Sequence, residues 1–532
     1  MILFYNAHIY SHEKPDATAF VIDQGSFLAM GTDTEILDSF SQVKSTINLE
    51  GRTIWPGLTD AHVHLHHLAE SISIVDCETD TQEECLSRIK AAAEKLPDGA
   101  WVRGHGWNQN VWKEGFGTAT QLDEICGGRP AYITAKSLHG AWVNSKAFDL
   151  AGINAQTPDP SSGIIRRDEK GKPTGILFEN EAVTLVESII PKPTQEEITS
   201  KIESALPELW KLGLIGVHDN DGFECWQALQ TLHDDGRLQL RVRKNILREH
   251  MDAFIHAGLR TDDGSDWLHM GGVKLFSDGA LGSQTCAMIQ PYEHSEEVGL
   301  LLLTEDDVLA IGKQAVGHGL ALTVHAIGDL ANHVVLNAFE KLRAYESEHD
   351  LPHLRHRIEH VQIIDPDDLS RIAALDIIAS VQPIHATSDM IIVDNYLGER
   401  SRNAYAFQAL QDSGAVLVFG SDAPVESVNP FLGIHAAVTR RRLDGSPGPD
   451  GWHPEQRLAL EDALAGFSST PAEISNRGMR LGKIAPGYRA DFLILEEDPF
   501  AIEPQALSQL LPQATFIDGK CVYRSPDLSL DF

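Results

Sequence analysis

Four histidines crowd the octapeptide DAHVHLHH, residues 60–67, at His62, His64, His66 and His67. Imidazole is a common ligand for zinc-like metals, so the first question is which of the four share a face. Alternate residues of a strand point the same way with side-chain origins about 7 Å apart, which lets His62 and His64 hold one ion. His66 has the same parity but stands about 13 Å from His62 on an extended strand, and His67 faces the other way. Gly57 and Asp60 suit a strand running into a loop, so the strand is expected to end near Leu65. His66 and His67 then start a loop, with His66 a candidate neighbour of substrate. A lone His-x-His equally describes polar residues on a solvent-facing strand, so companions are needed.

Four residues far along the chain are candidates: Lys274 in VKLFSDG, His325 in TVHAIGD, His360 in RIEHVQ and Asp422 in FGSDAPV. Each has a plainer use. The lysine can snorkel its ammonium outward, the histidines can be hydrogen-bonded in the core, and the aspartate can cap a helix. His218 and Asp219 read as a structural hydrogen-bonded pair. Only a fold that gathers the candidates turns them into a site.

The elements that must position them follow from hydrophobic runs. Short apolar strands at 53–65, 212–219, 240–247, 271–278, 320–329, 356–362, 377–383 and 415–422 alternate with helical segments. Such alternation argues for βαβ units and a parallel sheet, and eight strands is the count of a (β/α)8 TIM-type barrel in the α/β class. Chemistry in such barrels sits at the C-terminal ends of the strands, where Lys274, His325, His360 and Asp422 all fall. The barrel is assigned to 54–69 plus 206–479. The long interval between strands one and two predicts an inserted α/β subdomain, 70–205, covering the active-site mouth. Short strands at both ends, 1–53 and 480–532, predict one composite β-sandwich, with Asp518-Gly519 as a type I′ hairpin turn.

Bulk composition narrows the partners. Against 43 Lys and Arg stand 77 Asp and Glu, a net charge of −34. Such a surface repels phosphate backbones and anionic headgroups, which argues against nucleic acid and membrane as partners. The six cysteines are scattered singly, so they read as reduced thiols. Neither a secretory leader nor a run of 18 apolar residues is found, and a cytoplasmic location is expected.

The motifs PGLTDAHVHL, GGVKLFSDGALGSQT, LTVHAIGD, RIEHVQ, FGSDAPVESVNP and GYRADFLIL occur in that order. GHGWNQ, HGAWVNSKAF and GKPTGILFEN lie in the insertion. Together they resemble the amidohydrolase superfamily, specifically its YtcJ-like branch, amidohydrolase family 3, over almost the whole chain. The resemblance implies two divalent metal ions, usually zinc, in a binuclear site. His62, His64 and Asp422 would hold one metal and His325 and His360 the other. Lys274 would bridge them as a carboxylated lysine; an unmodified Lys274 would imply a single metal.

The implied reaction is hydrolysis of carbon–nitrogen bonds other than peptide bonds by metal-activated hydroxide, with Asp422 as the base that passes its proton to the leaving nitrogen. A small-molecule N-substituted formamide or amide is the substrate class that the resemblance favours. A cyclic amide or N-acyl amino acid hydrolase and a deaminase remain alternatives on the same site. A catalytically silent metal-binding regulatory protein is the alternative of another class. Substrate contacts are expected from His139, Asp278, Ser283 and His385, each against a plain structural use. Ser137 and Leu138 depart from the residues usual before His139, and Leu330 from the basic residue usual after GD. A homo-oligomer is compatible with the sequence.

Overall fold

Eight parallel strands occupy the middle of the chain: β1 Leu58–Val63, β2 Leu214–Asp219, β3 Arg241–Leu247, β4 Leu268–Phe276, β5 Leu322–Ala326, β6 Arg357–His360, β7 Ile378–Val381 and β8 Val416–Phe419. The structure is a computed structural model that describes residues 1–107, 109, 112–135, 140–160, 163–178 and 180–530. Each strand pairs in parallel with the next in sequence order. Helices cover the outer faces, which is why β2, β6 and β7 are buried along their whole length rather than in alternation. The fold is a (β/α)8 TIM-type barrel with an added sheet domain.

The ring closes between β8 and β1 through a short seam. Asp422 donates its backbone N–H to His62 at 2.8 Å and His64 donates to Ala423 at 2.9 Å. Asp60 braces this seam from inside, accepting the N–H groups of His62 and Ser421 on one carboxylate oxygen at 3.0 Å each. Burial pushes the Asp60 carboxyl up to about 6.

The described residues divide into two units, Met1–Leu68 with Ile202–Phe532, and Ala69–Lys201. In the first, both chain ends contribute to two small sheets beside the barrel. One orders Ser26–Gly31, Ala19–Asp23, Ile2–Tyr5 and Thr46–Asn48; the other orders His8–Ile9, Thr53–Pro56, Phe492–Leu495, Ala514–Ile517 and Lys520–Arg524. Phe4 stacks on Phe20 at 4.8 Å and meets Phe492 edge-on at 5.7 Å, which joins the sheets through aromatic faces. At the turn before Lys520, Asp518 and Gly519 take φ of 49° and 70°, the left-handed pair a type I′ hairpin needs.

The stretch 53–65 is not one strand, as its sequence suggests, but two. Thr53–Pro56 pairs with Phe492–Leu495 in the small sheet, whereas Leu58–Val63 enters the barrel. Gly57 lies between them, at a position where a Cβ would stand 2.6 Å from Ile215. The second unit holds a six-stranded sheet ordered Ile164–Arg167, Pro173–Phe178, Gly140–Val143, Ala131–Ala135, Val102–Trp107 and Val75–Asp76, with Trp107, Ile133 and Trp142 buried in its core. Among the described residues no helix is long and apolar enough to cross a membrane.

The seam leaves no room at Gly420, where a Cβ would lie 2.5 Å from the His62 backbone nitrogen and 2.7 Å from its Cβ. Gly420→Ala must therefore push β1 from β8. We expect a loss of about 1–3 kcal/mol, read as a lower thermal midpoint, with weaker metal retention because His62 moves with the backbone.

Candidate metal centre

The strand ends bring the expected residues to one place. His62 lies on β1, and its Nε2 sits 3.2 Å from Asp422 Oδ1. His64, just past β1, directs its Nε2 to the same oxygen at 3.3 Å. One donor atom each from His62, His360 and Asp422 falls within a 4.8 Å group. His325 stacks edge-on against His360 with ring centres 4.5 Å apart. Lys274 is buried on β4, near enough to Glu359 and Asp422 for their charges to act on it.

Two positions require unusual backbone. His360 has φ 78° and Asp422 φ 61°, both in the left-handed region that non-glycine residues seldom enter. The turns fall where β6 ends and where the chain has just left β8, and they aim both side chains across the mouth. Local strain of this kind is tolerated at sites the surroundings over-determine.

Each histidine is held by the nitrogen facing away from the cluster. His62 Nδ1 donates to Glu359 Oε2 at 2.6 Å, and His64 Nδ1 pairs with Asp221 Oδ1 at 3.2 Å. His360 Nδ1 meets Gln382 Oε1 at 2.9 Å, and His325 Nε2 meets the Gly279 carbonyl at 3.1 Å. Anchoring one ring nitrogen fixes the tautomer and leaves the other as a lone-pair donor, the usual arrangement around metal-binding histidines.

Charges behind the first ring are deeply buried. Glu359 pairs with Arg357 at 2.8 Å, and burial, which disfavours its anion, is outweighed by Arg357 and His62, so its carboxyl stays well below the usual range. Burial likewise opposes the Asp422 anion, yet His62, His385 and His64 hold it well below the ordinary carboxylate value. Burial first, then His325 and His62, keep His360 neutral. Desolvation lowers the Lys274 ammonium, with Glu359 and Asp422 opposing. His64 behaves differently: burial disfavours its cation, but Asp221 and Asp422 raise it to about 10.

Several readings from sequence change. His66 and His67 are not in a loop but in the first turn of α1, Leu65–Ser73. Asp219 accepts the N–H of Leu65 at 2.7 Å, and Asp221 accepts those of His66 and His67 at 2.5 and 3.3 Å. Carboxylates at the end of β2 thus cap the helix and start it earlier than its own residues suggest. His218 and Asp219 are not a pair. Neighbours on a strand face opposite sides, so His218 accepts from Arg357 at 2.9 Å while Asp219 pairs with Lys244 at 2.7 Å.

The expected substrate contacts fare unevenly. Asp278 is buried, and its carboxylate accepts the backbone N–H groups of Ala287, Ile327 and Gly328, with one oxygen 3.4 Å from His325 Nε2. Ser283 is exposed and contacts the Thr285 hydroxyl at 2.8 Å. His385, in the first turn of α2, Pro383–Leu397, faces Asp422 Oδ2 at 3.6 Å. His139 lies outside the described residues. Glu359, Arg357, Asp221 and Gln382 were not anticipated. Glu359 had a signal, since a carboxylate in a fully buried strand must be paired.

A profile of the amidohydrolase family matches residues 45–523. The chain belongs to the amidohydrolase family. It is 31% identical over 534 residues to YtcJ of Bacillus subtilis, covering 98% of this chain and 99% of that protein. It is 28% identical over 540 residues to the N-substituted formamide deformylase of Arthrobacter pascens, covering 98% of each. Among solved structures, an uncharacterized metal-dependent hydrolase from Pyrococcus furiosus superposes with a TM-score of 0.76 at 30% identity, over 93% of this chain and 99% of that one. This amidohydrolase is therefore a metal-dependent hydrolytic enzyme. Its donor set suits that class, because anchored imidazoles beside a carboxylate are what a borderline divalent ion prefers.

One consequence concerns protons. A group raised to about 10 is protonated at pH 7.5, so an ion taken up at His64 Nε2 must expel that proton. Calorimetry of zinc binding in buffers of different ionisation enthalpy should show proton release from this amidohydrolase at pH 7.5, with His64 contributing about one proton to it. Release should shrink as pH approaches 10, and apparent affinity should rise with pH until then. Asp221→Asn removes one of the two carboxylates and should reduce the release.

Proposed function

We propose that this amidohydrolase cleaves the carbon–nitrogen bond of N-substituted formamides or related small amides at a zinc site with two metal positions. The observation that carries the reading is the group of histidines, each anchored by one ring nitrogen, with His62, His64 and His360 about the Asp422 carboxylate and His325 stacked on His360. His62, His64 and Asp422 would hold one ion, and His325 and His360 the other. The substrate class rests on the similarity to the formamide deformylase.

Lys274 is suited to bridging only after modification, because an ammonium has no lone pair to give. Burial lowers its proton affinity, which enriches the neutral amine. That amine adds to carbon dioxide, forming an N–C bond and losing one proton to give a carbamate with two donor oxygens.

When bound, divalent ions lower the pKa of water and polarise an amide carbonyl. The protein's own part is proton movement and orientation. Asp422 receives the proton of the attacking water and delivers it to the leaving nitrogen, while His385 faces its second oxygen. Glu359 and Asp221 keep His62 and His64 from rotating.

Purified protein should be assayed with zinc against N-substituted formamides, cyclic amides, N-acyl amino acids and aminopurines while metal content is measured. Release of amine and formate from formamides supports the reading. Full metal loading with no turnover on any panel member would sink it. Asp422→Asn should keep most of its metal yet lose kcat by on the order of a thousandfold. Lys274→Ala should lose at least one metal equivalent, and a variant with undiminished metal removes the bridge.

A further inference from the structure

A second polar cavity is lined by residues of four barrel strands, most of them near the strand starts. Thr59 of β1, His218 of β2, Arg241 and Arg243 of β3, and His269 of β4 line it, and the segment 468–482 closes it with Arg477. Its volume is about 30 Å³. A water needs roughly 10–15 Å³ of such space, so the cavity suits a monatomic ion or one or two waters and little more.

The lining is rich in donors and holds no carboxylate. The acids nearby bind the outer ends of the guanidiniums instead. Arg241 pairs with Asp491 and Asp518 at 2.7 and 2.6 Å, and Arg243 pairs with Asp262. Arg477 spends its terminal nitrogens on the carbonyls of Ser475, at 2.8 Å, and Ser265, at 3.1 Å, with longer contacts to those of Asp262 and Gly264. What remains is unmatched. Arg243 Nε, Arg477 Nε and both ring nitrogens of His269, one of them a donor in the neutral ring, are buried with no hydrogen-bond partner, although Arg477 Nε lies 3.5 Å from Asp266 outside hydrogen-bond geometry. Arg243, Arg477 and His269 are 2%, 4% and 5% exposed, so bulk solvent does not satisfy them.

Buried donors without acceptors are rare and call for a specific explanation. An anion accepts from several directions and donates nothing, which matches this lining. A water must also place two hydrogens; a neutral His269 offers one ring nitrogen to accept one of them, and no carboxylate in the lining receives the other. We propose that the cavity binds a monatomic anion, chloride under ordinary conditions, held by Arg243, Arg477 and His269. The ion ties the starts of β3 and β4 to the segment that closes the barrel floor. The local field agrees: burial, then Arg477 and Arg243, keeps His269 well below its ordinary pKa, as does burial with Arg357 and Arg243 for His218.

The test uses the full-length protein. Crystals grown with sodium bromide should show an anomalous peak within hydrogen-bond reach of Arg243 and His269. Replacing gluconate by chloride at constant ionic strength should raise the thermal midpoint saturably by roughly 2 °C, and His269→Leu should abolish that rise. If His269→Leu does not fold, the bromide peak in the unaltered protein decides alone. Ordered water or a polyatomic anion in place of bromide overturns the proposal. So does a bromide peak with no chloride-dependent midpoint in the unaltered protein, which would mark an adventitious ion only.

Discussion

The contact between His62 Nδ1 and Glu359, 2.6 Å long and wholly buried, is the constraint on which the centre depends. It sets which nitrogen of His62 faces Asp422. Glu359 remains ionised because Arg357 sits against its other oxygen, and Arg357 is fixed in turn by His218, Ser380 and the Ala61 carbonyl. Taking two charges out of water costs several kcal/mol per ion, and an apolar pair of the same volume would often be as stable or more so. The pair is thus poorly explained as a stabilising device. Its effect is positional, since an uncompensated change at either member leaves a buried charge and releases the imidazole.

This constraint reaches the architecture through the seam. Barrels of this kind are usually filled by layers of branched aliphatic residues. Here Arg357, Glu359, His218, Lys244 and His62 are buried among the strands. β1 is the strand that all of these share. It leaves the small sheet through Gly57, closes on β8 at His62, and passes directly into α1, whose start is fixed by Asp219 and Asp221. Arg241 fastens the same small domain to β3 through Asp491 and Asp518. A displacement of β1 would be felt in three elements at once.

Much of this was readable from sequence, for reasons of period and position. Eight apolar runs separated by helical segments define the barrel, and His62, His64, His325, His360 and Asp422 cluster because strand ends converge. The Asp518-Gly519 turn follows from backbone preference alone. What could not be read is contact between residues distant in sequence. Nothing near position 64 announces Asp221, and nothing in Gln382 announces His360. The need for glycine at the break follows from the closeness of Ile215, a tertiary fact. The start of α1 was missed for a similar reason, because its capping carboxylates arrive from another strand.

The two oxygens of Asp422 face different surroundings, and this bears on the role proposed for it. Oδ1 lies near His62 and His64, whereas Oδ2 faces His385. Held well below the ordinary carboxylate value, Asp422 is a weak proton acceptor and, once protonated, a strong donor. Amide cleavage is limited by expulsion of a basic nitrogen rather than by any lack of water. A group tuned toward donation therefore serves the harder half of the reaction, provided that acceptance is eased by water already made acidic. The depressed pKa of this carboxyl and the need for divalent ions are in that sense one requirement, met by the same few histidines.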